Sequence, residues 1–313
     1  MSIGRTPRLA VLLCTLLALV SCSPSGPSPS PSTSGETHTA SARPAEPERR
    51  QLPGGGTRIF PANRLVGYVG LAHAATLGRL GTGDADQRVE ELIERAKPYA
   101  QGRQVLPTLE VIATVVQDRP GRSGLYRNRI PDAVIKTYLS VARRHNALLL
   151  LNIQPGRSEF LDEVKHLRPW LSEPEVGLAL DPEWAMGPRQ VPGRTYGWST
   201  GAELDMVARY VSAIVQAEHL PEKAIVYHQV APSVVRDESG LKRHPGVAMI
   251  KSVDGIGARV DKVHTFRRVQ AATPSFVHSG FKLFFDEDTQ HGPLMTPRQV
   301  LALRPQPEYV MHE

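Results

Sequence analysis

From residue 58 onward, short aliphatic runs alternate with longer stretches in which apolar positions recur every three or four residues. The first pattern is that of buried strands and the second that of amphipathic helices packed on them. Their regular alternation predicts βα units around a parallel sheet. Strands are expected at 64–71 (RLVGYVGL), 104–115, 147–154 (ALLLLNIQ), 175–181, 223–230, 246–254, 280–287 (GFKLFFDE) and 307–313. Helices are expected at 84–100, 131–145, 158–171, 200–219, 260–270 and 296–303. Thr82 and Asp84 introduce the first helix, and Ser199 and Thr200 the fourth; their side chains can accept from a helix's first free N–H groups. Eight strands joined in this way predict an α/β fold, a (β/α)8 TIM barrel ending on its eighth strand. No GxGxxG follows the first strand, which argues against a dinucleotide-binding doubly wound sheet.

Polar residues crowd the C-terminal ends of the expected strands. They are Glu110; Asn152 and Gln154; Asp181 and Glu183; Tyr227, His228 and Gln229; Lys251 and Asp254; Asp286 and Glu287; His312 and Glu313. In a barrel those ends share one mouth, where barrel enzymes hold their chemistry. Burying so many charges elsewhere without partners would be costly.

The run GLALDPEW at 177–184 concentrates that chemistry. Read as a strand, it sends Asp181 and Glu183 to one face, their backbones roughly 6 to 7 Å apart. Gly177 and Ala179 share that face, which predicts free space near the mouth, while Leu178 and Leu180 face the helices. Two carboxyls so close push one toward its protonated form, leaving an acid beside an ionised partner, as glycoside hydrolysis requires. One of Asp181 and Glu183 is therefore a candidate general acid, and the other its ionised partner. The structural alternative has Asp181 opening a loop and Glu183 paired with Arg189 or Arg194. Substrate contacts are expected from Glu110, Gln154, Tyr227, His228, Gln229, Lys251, Asp254 and Asp286. The loop that follows, WAMGPRQVPGRTYGWST, adds Trp184 and Trp198 as rings on which a sugar could stack.

A D-x-E at the end of the fourth strand of a barrel resembles glycoside hydrolases of the chitinase type (family 18) and barrel lysozymes (family 25). In the pattern D-x-x-D-x-D-x-E the last Glu is the acid and the Asp before it assists. The resemblance thus implies that Glu183 is the proton donor and Asp181 its helper. The two earlier aspartates of that pattern are Ala179 and Val176 here.

The N-terminus bears on where this chemistry would act. Arg5 and Arg8 precede the apolar run LAVLLCTLLALV (9–20), too short to span a bilayer comfortably, and Leu19-Val20-Ser21-Cys22 closes it. This resembles a bacterial lipoprotein signal with its lipobox. It implies a signal peptide over 1–21, lipidation of Cys22, export, and anchoring on the outer face of the cell membrane. A Ser/Pro-rich tether is expected over 22–57, extended at about 3 Å per residue where polyproline-like, with Gly54-Gly55-Gly56 as its last flexible joint. The barrel domain then occupies 58–313.

Charge and cysteine content narrow the partners. The formal net charge is +6 and falls to +4 once Arg5 and Arg8 are removed, with no basic helix or aromatic-interleaved basic patch, so nucleic acid is not expected as a partner. Of the two cysteines Cys14 leaves with the signal, so the mature chain has no internal disulfide. There is no HExxH, G-x-S-x-G or P-loop, and neither a metal nor a cofactor is expected. The expected protein is a monomeric lipoprotein acting on a cell-wall or extracellular polysaccharide. The alternatives are a non-catalytic barrel that binds a glycan or partner, and a metal-dependent hydrolase.

Overall fold

The computed structural model describes residues 50–313; the expected signal peptide, Cys22 and the tether up to residue 49 lie outside the described residues. Eight parallel strands close on themselves: β1 (Asn63–Gly70), β2 (Gln104–Val116), β3 (Leu148–Ile153), β4 (Val176–Leu180), β5 (Lys223–Gln229), β6 (Val247–Val253), β7 (His278–Leu283) and β8 (Tyr309–His312). Each pairs with the next, and β8 pairs with β1 to complete the ring. The chain is a (β/α)8 TIM barrel. Helices α1 (Ala85–Ala96), α2 (Asp132–Arg144), α3 (Phe160–His166), α4 (Arg168–Leu171), α5 (Gly201–Ala217), α6 (Arg259–Gln270), α7 (Phe285–Thr289) and α8 (Pro297–Leu301) connect them. No helix among the described residues is long and apolar enough to cross a membrane.

The helix starts follow from local chemistry. Asp84 accepts from the N–H of Gln87 at 3.1 Å. Thr200 and Glu203 cap each other's backbone, with Thr200 Oγ1 accepting at 3.2 Å and Glu203 Oε2 at 2.8 Å.

Strand alternation divides the apolar residues into two cores. Leu65, Leu106, Leu150, Val226, Ile250 and Met311 fill the barrel, while Leu149, Leu151, Leu178, Leu180, Ile225 and Val310 pack beneath the helices. Each such side chain, fully withdrawn from water, stabilises the fold by about 1.5–3 kcal/mol.

Three expectations change. Gly177 does face the interior, but no free space lies beside it: an added Cβ would sit 2.8 Å from Leu150 Cδ2 and 2.6 Å from the carbonyl of Ala224. The neighbouring strand's leucine takes the volume that the glycine gives up. Second, the barrel domain begins before residue 58. Leu52 is buried with Ile59 and Phe60 in the cluster that fills the barrel, and its N–H donates to Gly56 O at 2.8 Å. Gly54, Gly55 and Gly56 have φ of 80°, 97° and 78°, a left-handed turn that glycine adopts without strain, rather than a joint. Third, the seventh strand stops at Leu283. Phe284 N–H donates to Asp288 at 3.0 Å, so FDED opens α7 instead of extending the strand.

Candidate active site in the barrel mouth

The register decides which polar residues enter the barrel. Glu110, Asn152, His228, Ser252 and Lys282 occupy the same alternate positions as the interior aliphatics, toward the C-terminal ends of β2, β3, β5, β6 and β7. Asp181 and Asp254 continue the inward alternation just beyond β4 and β6. All are buried.

His228 lies at the centre of this group. Its Nδ1 is 2.8 Å from Asp254 Oδ2, its Nε2 3.0 Å from Glu110 Oε1 and 4.0 Å from Asp181 Oδ1. Burial favours neutral imidazole, but the charges of Asp254 and Glu110 outweigh it and hold the pKa well above the usual histidine value. His228 is thus an imidazolium bridging two carboxylates. Burial likewise opposes ionisation of Asp254 and Glu110, and the His228 charge reverses the balance, leaving both below the ordinary carboxylate range. Lys282 completes the network, 3.3 Å from Asp254 and 2.5 Å from Glu313. Tyr309 donates its hydroxyl to the second oxygen of Glu110.

Asp181 is held by amides. Asn152 Nδ2 donates to it at 2.9 Å and to Glu110 at 3.0 Å, and Gln154 Nε2 donates at 3.2 Å. The N–H of Val116 donates to Gln154 Oε1 at 3.1 Å, which fixes the direction of that amide.

Glu183 differs. Strand β4 ends at Leu180, and residues 182–184 form a 3-10 turn, so Asp181 and Glu183 do not share a strand face as expected. Pro182 has no N–H to continue the ladder and turns the chain there. Glu183 is nevertheless buried and electrostatically joined to the mouth. Burial, then the charges of Asp181 and Asp254, push its carboxyl up to about 8. Burial also raises Asp181, with the His228 charge opposing. Between the two, Glu183 keeps the proton: both Asp181 oxygens receive N–H donors, whereas Glu183 Oε2 is buried with no partner, arginine included.

Of the residues expected at the mouth, Glu110, Gln154, Asp181, Glu183, His228 and Asp254 come together. Tyr227, Gln229 and Lys251 do not. They alternate with His228 and Ser252 and so point out of the barrel toward α6 and the turn at 238–240. There Lys251 Nζ donates to Glu238 Oε1 at 2.7 Å and to Val269 O at 2.9 Å. Gln229 Nε2 donates to Ala231 O at 3.2 Å. Asp286 is exposed on α7 and lines a cavity with Arg79, Arg95 and Glu313, away from Asp181 and Glu183. Trp184 is half-buried in the Glu183 turn, and Trp198 is exposed beside the mouth, where Arg236 covers its ring at 3.9 Å.

Lys282 and Tyr309 were not expected here. A lysine within the apolar run GFKLFF was the available signal, since the alternation that buries Phe281 and Leu283 leaves Lys282 facing the interior. Among the described residues no three His, Cys, Asp or Glu side chains are grouped to hold a metal ion. No protein-family description matches the chain, and no curated protein matches it.

Proposed function

We propose that the protein is a glycoside hydrolase acting on a cell-wall or extracellular polysaccharide, with Glu183 as acid/base and Asp181 as the carboxylate beside it. One observation carries this reading: a buried Glu183 carboxyl whose Oε2 has no partner, pushed up to about 8, beside an Asp181 whose oxygens are both fixed by amides. Such a pair divides the work of glycosidic cleavage. Glu183 gives its proton to the departing oxygen as the C–O bond breaks. The Asp181 carboxylate stabilises the positive charge that develops on the sugar ring, and the amides of Asn152 and Gln154 hold it in place. Addition of water to the ring carbon releases a proton, which returns to Glu183.

The test is hydrolysis of a panel of polysaccharides by the full chain and by Glu183→Gln. Loss of product release in a variant that keeps its circular dichroism and melting temperature supports the assignment, and unchanged release overturns it.

A non-catalytic glycan-binding barrel is the second reading. It is favoured by the depth of the acids: Asp181 and Glu183 are only 6% and 7% exposed, and neither lines the cavity of about 590 Å³ beside the mouth. Saturable binding with no product from the unmodified chain would select it. In either case we propose that Cys22 carries a lipid anchor that keeps the exported protein on the outer face of the cell membrane.

A further inference from the structure

A cavity of about 590 Å³ lies beside the turn that carries Glu183. Ala185 and Met186, two and three residues after Glu183, form part of its wall, and Trp198, Met206 and Phe160 supply its large apolar surfaces. The wall and the acid's turn are one hydrogen-bonded piece. Gly197 N–H donates to Glu183 O at 2.6 Å, Trp198 N–H to Ala185 O at 3.1 Å, and Met186 N–H to Gly156 O at 2.7 Å. Trp198 and Met206 are 40% and 39% exposed, among the few large apolar side chains left open to water. An aromatic plane with a thioether beside it, inside a polar rim, suits a ring whose faces are C–H and whose edges are hydroxyl.

The charges around this cavity narrow the ring further. Glu159, Asp162 and Glu203 line it, with Arg157 as the basic lining residue. Arg157 is already committed: its Nε and Nη2 donate to Gln190 O at 3.2 and 2.8 Å, and its guanidinium lies 4.1 Å over the Tyr126 ring. Arg236 is stacked on one face of Trp198, so the opposite face is the one a sugar would take. Deeper in, His228 and Lys282 are both paired within the mouth, where Glu110, Asp181, Asp254 and Glu313 outnumber them. Three carboxylates to one guanidinium in the lining set a charge balance that disfavours carboxylated or sulfated polymers.

We propose that this cavity is the subsite for a sugar unit adjoining the one attacked at Glu183, with Trp198 as its platform, and that it accepts uncharged or amine-bearing sugars and rejects uronic acids. The proposal rests on the hydrolase reading above and adds a place and a charge class for the substrate.

The full chain carrying Glu183→Gln, which would hold substrate without turnover, is titrated with three hexamers: β-1,4-linked glucose, N-acetylglucosamine and galacturonate. At least one neutral hexamer should bind tenfold or more tightly than the galacturonate hexamer. Adding Trp198→Ala should weaken that binding tenfold or more, while Trp198→Phe keeps most of it. The double change Glu159→Lys/Asp162→Lys should narrow the gap between neutral and anionic hexamers. Equal or tighter galacturonate binding, no binding of any hexamer, or Trp198→Ala binding as before would each overturn the subsite. The two readings fail separately. Turnover lost in Glu183→Gln with affinity kept in Trp198→Ala removes the subsite and leaves the acid. Affinity lost in Trp198→Ala with turnover kept in Glu183→Gln removes the acid and leaves the subsite.

Discussion

His228 Nδ1 lies 2.8 Å from Asp254 Oδ2 at the centre of the barrel mouth, both side chains almost wholly withdrawn from water. The imidazolium is the charge that lets Asp254 and Glu110 remain ionised there. Replacing it with asparagine leaves two buried carboxylates without their counter-charge. Breaking a buried pair from one side costs about 3–5 kcal/mol, so His228→Asn should lower the stability measured by urea unfolding by that order. An unchanged unfolding midpoint would mean that the ring is not charged.

Glu183 gives a pH dependence of definite sign. Its pKa in the folded chain, about 8, is above the ordinary 4.5, so folding favours its protonated form. The stability this contributes is complete below about pH 4.5 and is lost as pH rises through about 8. The melting temperature of the unmodified chain should therefore fall between pH 5 and 9, and Glu183→Gln should flatten that fall. Hydrolysis, which uses the proton, should decline over the upper part of the same range. A melting profile identical in the two proteins would contradict the shift.

Gly197 lets two stretches of the loop touch. An added Cβ there would lie 2.0 Å from Ala185 O, so Gly197→Ala must push the strand of loop carrying Trp198 away from the Glu183 turn. Overpacking of this kind typically costs about 1–3 kcal/mol. Thermal unfolding should show the loss, and turnover should drop along with it.

Lys251 and Glu238 offer a control outside the mouth. Lys251→Met leaves the buried Glu238 carboxylate without its ammonium partner, at a cost of about 3–5 kcal/mol. Lys251→Met/Glu238→Leu should recover most of that stability in urea unfolding. Turnover by the folded fraction should be unchanged in both, because the pair faces α6 and not the barrel interior.

Cys22→Ser should move the protein from the membrane fraction to the medium and abolish incorporation of a labelled fatty acid. Continued labelling would place the anchor elsewhere.

The barrel could be read from the sequence because its strands are short, buried on both faces and separated by capped helices; Asp84 and Thr200 start α1 and α5 as their side chains dictate. The mouth could be read only in outline. Strand ends gave the right elements, but which neighbour faces inward depends on register, and a single step separates His228 from Tyr227 and Gln229. Lys251 fell on the wrong side for the same reason. Local hydrogen bonds decided the remainder: Pro182 turned Glu183 out of the strand, and Asp288 drew Asp286 onto a helix. Tyr309 and Lys282 were hidden inside apolar runs, where only the ring of neighbouring strands reveals that an aromatic hydroxyl and an ammonium meet carboxylates.

Arg50 joins the barrel through His219 O at 3.3 Å and Ser172 O at 3.1 Å, carbonyls that lie just before β5 and β4. The chain thus enters at the end where the strands begin, and Leu52 packs into that end's apolar filling. Arg50 and Leu52 attach to the closed floor of the barrel. Under the lipid anchor proposed at Cys22, pull along the chain would be borne by that floor, and the mouth at the opposite pole would stay clear for the proposed polymer.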